Sequence, residues 1–196
     1  ANLWDLVNVY SDLANGISTS ADSLRSTHLK WHFREVDNKT SSYVFSPASC
    51  WLTLQALLES SRPDEELYWR SFNSSRKIAW KTGTSFGFRD AWAIGCTPDY
   101  LIGVWVGNAD NHPMRNISGI TGAAPIWNQV MQNVIKFQGI SEFVRPDGII
   151  EKEICAWDGL LPTDKCTDRY IEKFIAGTEP QEFSQLSQKP VFLQSS

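Results

Sequence analysis

Residues 77–108 read KIAWKTGTSFGFRDAWAIGCTPDYLIGVWVGN. Three short runs within them, Ile78 to Thr82, Ala91 to Cys96 and Leu101 to Val106, carry the β-branched and aromatic residues of strands. Gly87 punctuates the first gap, and Thr97-Pro98-Asp99 makes a tight turn in the second. Connections this short join antiparallel neighbours.

Helical signals flank this β region. Asn2 can cap a helix, with Asp5 three residues on as its reciprocal partner. Leu3, Leu6, Val7, Tyr10 and Leu13 then recur at helical spacing, and Gly16 is a stop signal. Ser46-Pro47 opens a second helix with an apolar face at Trp51, Leu54, Leu57 and Leu58. A third starts at Pro125 and runs through Trp127, Val130, Met131 and Val134. Residues 17–42 read as a loop or short hairpin and 60–75 as polar turn. Residues 141–180 read as loop-rich with short strands. The order is helix, helix, three antiparallel strands, helix, which predicts an α+β fold with an antiparallel sheet covered by helices.

Composition agrees with a globular domain. The 196 residues are 42% hydrophobic and 20% charged, with nine tryptophans. The formal net charge of −4 comes without a basic cluster, which argues against nucleic acid as a partner. No apolar run approaches the ~18–20 residues needed to span a bilayer. The start at Ala1 shows neither an initiator Met nor a signal pattern, so the chain is expected to begin inside a fold or after a cleavage. Cys155 and Cys166 flank a short loop and are a candidate disulfide in an oxidising compartment; four buried thiols are the alternative. No Cys-x-x-Cys accompanies His28, His32 and His112, so neither a metal nor another cofactor is expected.

Lys81-Thr82-Gly83-Thr84 is the stretch that can carry chemistry. A glycine in an edge strand lets a ligand approach the backbone closely. A neighbouring lysine supplies charge for an anionic group, and the two hydroxyls can hydrogen-bond a carboxylate. A free strand edge can also pair with an extended peptide. Lys-Thr-Gly alone is weak evidence, because the same residues also make an ordinary strand end.

The wider sequence is more specific. Residues 77–108, GAAPIWNQVM at 122–131, ICAWDGLLPTDKC at 154–166 and FIAGTEP at 174–180 together resemble the bifunctional, class A penicillin-binding proteins, above all the 1C type. The opening NLWDLVNVYSDLANG is similar to the helix that follows the Ser-x-Asn element in that family. The resemblance covers most of residues 2–180. It implies the C-terminal half of a penicillin-binding transpeptidase domain, with a partial serine β-lactamase-like fold over 1–180 and a linker toward a further domain over 181–196.

The resemblance also implies roles. Lys81, Thr82, Gly83 and Thr84 would bind the substrate. Lys81 would hold its carboxylate and tune the serine network. Thr82 and Thr84 would bind the carboxylate through their hydroxyls, and Gly83 would keep the strand close to the peptide. The Thr84 backbone N–H would form half of an oxyanion hole. Arg89 and Asp90 read as an ion pair or turn support, and Trp80, Trp92 and Trp105 as sheet packing. The implied partners are peptidoglycan stem peptides, with β-lactams acting on the intact protein at the periplasmic or extracytoplasmic face of the bacterial inner membrane. A membrane anchor would lie outside this sequence.

The family's reaction also needs a serine activated by a lysine. Ser74-Ser75-Arg76-Lys77 and Ser71-Phe72-Asn73 match the required spacings on paper. They sit just before the Lys-Thr-Gly strand, whereas the family's elements lie upstream of the stretch that matches residue 2 onward. The expectation is therefore a transpeptidase fragment without its nucleophile, inactive alone. The alternatives are a non-catalytic module that binds D-Ala-D-Ala peptides or a partner, and, fitting less well, a β-lactamase.

Overall fold

A computed structural model describes residues 2–17, 45–59 and 78–186. The chain divides into two compact units, Ala1–Pro146 and Asp147–Ser196. The domain expected over 1–180 thus spans one unit and most of the other. The loops expected over 17–42 and 60–75 lie outside the described residues, apart from Ile17.

Helix α1 spans Leu3–Asn15. Asp5 N–H donates to the Asn2 side chain at 2.9 Å, and Asn2 N–H donates to the Asp5 carboxylate at 3.4 Å, which satisfies two of the donors every helix start leaves open. The helix ends at Gly16, but not for the expected reason. Gly16 has φ −64°, an ordinary helical value, and its N–H donates to Asp12 O at 2.8 Å. A Cβ there would lie 2.8 Å from Cys50 Sγ, so the glycine lets α1 approach the next helix. That helix, α2, spans Pro47–Leu58; Ser49 N–H donates to Ser46 Oγ at 3.1 Å, and Pro47 occupies the first turn. Ala48, Cys50, Trp51 and Leu54 are buried.

Strands β1 (Ala79–Thr84), β2 (Asp90–Cys96) and β3 (Leu101–Gly107) form an antiparallel sheet in chain order. The register pairs Lys81 with Ile94, Gly83 with Trp92, and Trp92 with Trp105. The first strand runs two residues past its expected end, so the whole Lys-Thr-Gly-Thr stretch is strand. The reversal comes later: Phe88 N–H donates to Ser85 O at 3.1 Å, with Gly87 at φ 75° and Phe88 at φ 56°.

Each face of the sheet is covered. Gly103 is pressed by Leu3 and Val7, which fixes α1 on the face that also holds Ala79, Lys81, Gly83, Trp92 and Ile94. The other face holds Ile78, Trp80, Ala91 and Ala93, packed with Trp127 and Met131 of α3 (Ala124–Gln138). Trp127 stacks on Trp80 at 5.2 Å between ring centroids and donates its indole N–H to Ile102 O at 3.0 Å. Ahead of α3 the chain makes a π-helical turn, Gly119–Ala123, upstream of the helix start expected at Pro125.

The second unit holds strands β4 (Ile149–Cys155) and β5 (Arg169–Ile175), paired antiparallel. Glu151, Lys152 and Glu153 interrupt the apolar residues of β4, which weakens its strand signal. Cys155 and Cys166 form a disulfide across the connecting loop. The following segment is bound to that loop. Leu161 N–H donates to Glu182 O at 2.9 Å and Ser184 N–H to Leu161 O at 2.8 Å. The buried Ser184 hydroxyl donates to Asp158 at 2.7 Å. Of the chain expected to be linker from residue 181, Glu182 and Ser184 are thus bonded to that loop.

Gly95 is a sharp test of the first unit's packing, because a Cβ there would meet the Trp127 ring, Trp80 Cβ and Ala79 O. Gly95→Ala is expected to lower unfolding stability by about 1–3 kcal/mol through overpacking. A denaturant titration showing no loss would mean that Trp127 does not rest on Gly95.

Candidate functional site

The alternation of β1 sorts the four candidate residues. Lys81 and Gly83 face the α1 side, whereas Thr82 and Thr84 face the α3 side. What all four share is the strand's backbone edge. Ser85 N–H donates to Asp90 O at 2.9 Å, which sets the phase of the ladder. Backbone groups of successive residues alternate between the partner strand and the opposite edge. Ser85, Gly83 and Lys81 therefore turn toward β2, and Thr84 and Thr82 turn their N–H and C=O outward. Among the described residues no strand pairs with that edge.

The side chains have specific surroundings. Lys81 is exposed and donates from Nζ to Thr82 O at 2.7 Å, so its ammonium lies along the outward edge. Thr84 Oγ1 accepts from Gly119 N–H at 2.9 Å. Gly83 has room beside it: a Cβ would lie 3.8 Å from Trp92 Cβ, an ordinary contact. No described neighbour therefore requires a glycine at this position.

Asp90 supports the hairpin base. Its carboxylate accepts from Trp105 Nε1 at 2.9 Å, and its N–H donates to Ser85 Oγ at 2.8 Å. The bond from Trp105, and then Ser85, hold its carboxyl below the usual carboxylate range. Trp92 and Trp105 form a cross-strand aromatic pair with centroids 6.2 Å apart. Beyond the turn, Phe86 is fully exposed and Phe88 about half exposed.

Two groups are poor nucleophiles by environment. Burial pushes the Cys96 thiol up to about 12, and burial, with Asp12 nearby, raises the Cys50 thiol. Among the described residues no group of three or more His, Cys, Asp and Glu could hold a metal ion. No helix among them is long and apolar enough to cross a membrane. The segments containing Ser71, Asn73, Ser74 and Lys77 lie outside the described residues.

Sequence reasoning missed the π-helical turn. Ser118 and Thr121 cap it reciprocally: Thr121 N–H donates to Ser118 Oγ at 3.3 Å and Ser118 N–H to Thr121 Oγ1 at 2.9 Å. The Ser-x-x-Thr spacing was a legible signal, since it satisfies donors as a Ser-x-x-Glu box does. The contact with Thr84, 35 residues earlier, was not legible.

Comparison with known proteins finds relatives over both units. Residues 145–189 match the family model described as "Penicillin-binding protein 1A, C-terminal domain". Penicillin-binding protein 1C of Escherichia coli is 31% identical over 142 residues, covering 70% of this chain and 18% of that protein. Penicillin-binding protein 1A of Clostridium tetani is 30% identical over 154 residues, covering 75% and 20%. The crystal structure of penicillin-binding protein 1A from Haemophilus influenzae matches with a TM-score of 0.58 and 28% identity, over 72% of this chain and 22% of that one. The chain thus spans about a fifth of the length of these relatives.

The open space at Gly83 gives a direct test. Gly83→Ala is expected to keep or raise thermal stability, by up to about 1 kcal/mol, because the backbone is extended and the new methyl has room. A loss above about 1 kcal/mol would mean that a neighbour inside the fold demands the glycine.

Proposed function

We propose that this chain, a relative of the penicillin-binding proteins 1A and 1C, is part of a peptidoglycan D,D-transpeptidase and supplies the substrate-binding edge of its active site. The observation that carries the reading is the outward edge of β1, with the backbone of Thr82 and Thr84 facing away from β2 and the Lys81 ammonium along it. An extended stem peptide ending in D-Ala-D-Ala would add to that edge as a strand. Lys81, Thr82 and Thr84 would hold its terminal carboxylate through charge-assisted hydrogen bonds. Gly83 would let the peptide come close, which accounts for a glycine that no described neighbour requires.

The chemistry is acyl transfer. A serine outside residues 1–196 attacks the carbonyl of the D-Ala-D-Ala bond, and a lysine near it takes the proton. The carbonyl oxygen becomes an oxyanion, and the Thr84 N–H is one of the donors that stabilise it. Collapse expels the terminal D-Ala, and an amine on a neighbouring stem resolves the acyl-enzyme. A β-lactam acylates the same serine. The complete protein works at the extracytoplasmic face of the membrane, a reading supported by the Cys155–Cys166 disulfide, since such bonds persist in oxidising compartments. Residues 1–146 form the transpeptidase portion, and Asp147 onward forms a module fastened by that disulfide.

Treating the full-length parent with penicillin, followed by peptide mapping, locates the acylated residue. The adduct is expected on a serine outside residues 1–196; an adduct on a serine within them would overturn the assignment. Lys81→Ala in the parent is expected to lower the acylation rate constant by about 10²–10³-fold, the scale of losing one preorganised electrostatic partner. A loss under about threefold would remove Lys81 from the site.

A further inference from the structure

Gly119 is buried over the β1–β2 ladder where Gly83 pairs with Trp92, on the Thr84 side of the sheet. Its N–H donates to Thr84 Oγ1 at 2.9 Å. The approach is as close as backbone allows: a Cβ on Gly119 would sit 2.8 Å from Trp92 O, 2.9 Å from Gly83 N, and closer still to Gly83 O. All three obstacles are main-chain atoms of the β1–β2 ladder. The reciprocal hydrogen bonds of Ser118 and Thr121 hold the turn that carries Gly119 in place.

A threonine hydroxyl has one proton and lone pairs that accept. Its oxygen can serve an anion only by donating that proton. At Thr84 an acceptor position is filled by Gly119 N–H, so the proton is left to point away from the turn. We propose that Gly119 is a positioning residue for carboxylate recognition, its N–H fixing the Thr84 hydroxyl as a donor to the substrate's terminal carboxylate. The inference rests on the reading of the β1 edge given above. It assigns the π-helical turn a role in substrate selection: the turn sets the direction of a hydroxyl that it does not itself own.

The test compares a penicillin with its methyl ester, which keeps the reacting amide and removes the anion. The readout is the ratio of second-order acylation rate constants, acid over ester, in the full-length parent. Wild type is expected to prefer the acid strongly; equal rates would defeat the underlying reading of the edge before Gly119 is considered. Gly119→Ala is expected to cut that ratio by about tenfold or more, the scale of one hydrogen bond to a charged group. Thr84→Val is expected to do the same and Thr84→Ser to restore most of the preference. Thr121→Val, which loosens the turn without adding a Cβ under it, covers the case in which Gly119→Ala does not fold, and its ratio is expected to fall by a smaller factor. Acid and ester rates falling together in the Gly119 and Thr121 variants, or an unchanged ratio in both, would make the turn merely structural and overturn the proposal.

Discussion

Trp127 holds the first unit together. Its ring lies flat on Trp80 over a position where only glycine fits, and its indole N–H reaches a main-chain oxygen of β3. One side chain thereby fixes α3 to all three strands. Because α3 continues directly from the π-helical turn, the same anchor sets where that turn meets the sheet. A shift of Trp127 would move Gly119, and with it the hydrogen bond to Thr84. The core and the candidate site are thus one mechanical object rather than a scaffold with a site attached.

The order of elements was legible because the signals were local. The Asn2–Asp5 box, the Ser46-Pro47 start and the three short apolar runs each announce themselves within a few residues. The strand carrying the candidate site was legible too, through residues 77–108. Less legible were features decided by distant contacts. Gly16 reads as a stop signal, yet its role is to admit Cys50 Sγ from a helix more than 30 positions away. Strands β4 and β5 hide behind charged residues, since their two-stranded sheet leaves half of their positions exposed. The hydrogen bond between Gly119 and Thr84 belongs to the same class, because no local pattern encodes it.

The second unit solves a different physical problem. A two-stranded sheet buries little apolar surface and is marginal by itself. Here the Cys155–Cys166 bond closes the loop between the strands, and the segment around Ser184 is tied back to that loop through Leu161 and Asp158. Cross-links and buried polar bonds take over part of what a larger core does elsewhere. The Arg169 side chain adds to this by donating to Cys166 O at 2.8 Å and Thr163 O at 2.8 Å.

The crowded glycines of the sheet region are not equivalent under mutation. At Gly103 the obstacles to a side chain are Val7 and Leu3, which are themselves side chains. A lesion there can be suppressed by trimming Val7, the nearer of the two. At Gly119 the obstacles are the carbonyl and amide of Gly83 and the carbonyl of Trp92, atoms that every amino acid carries. No second-site change can remove them. Genetic drift can therefore trade residues around Gly103 in compensated pairs, while Gly119 has no partner with which to trade.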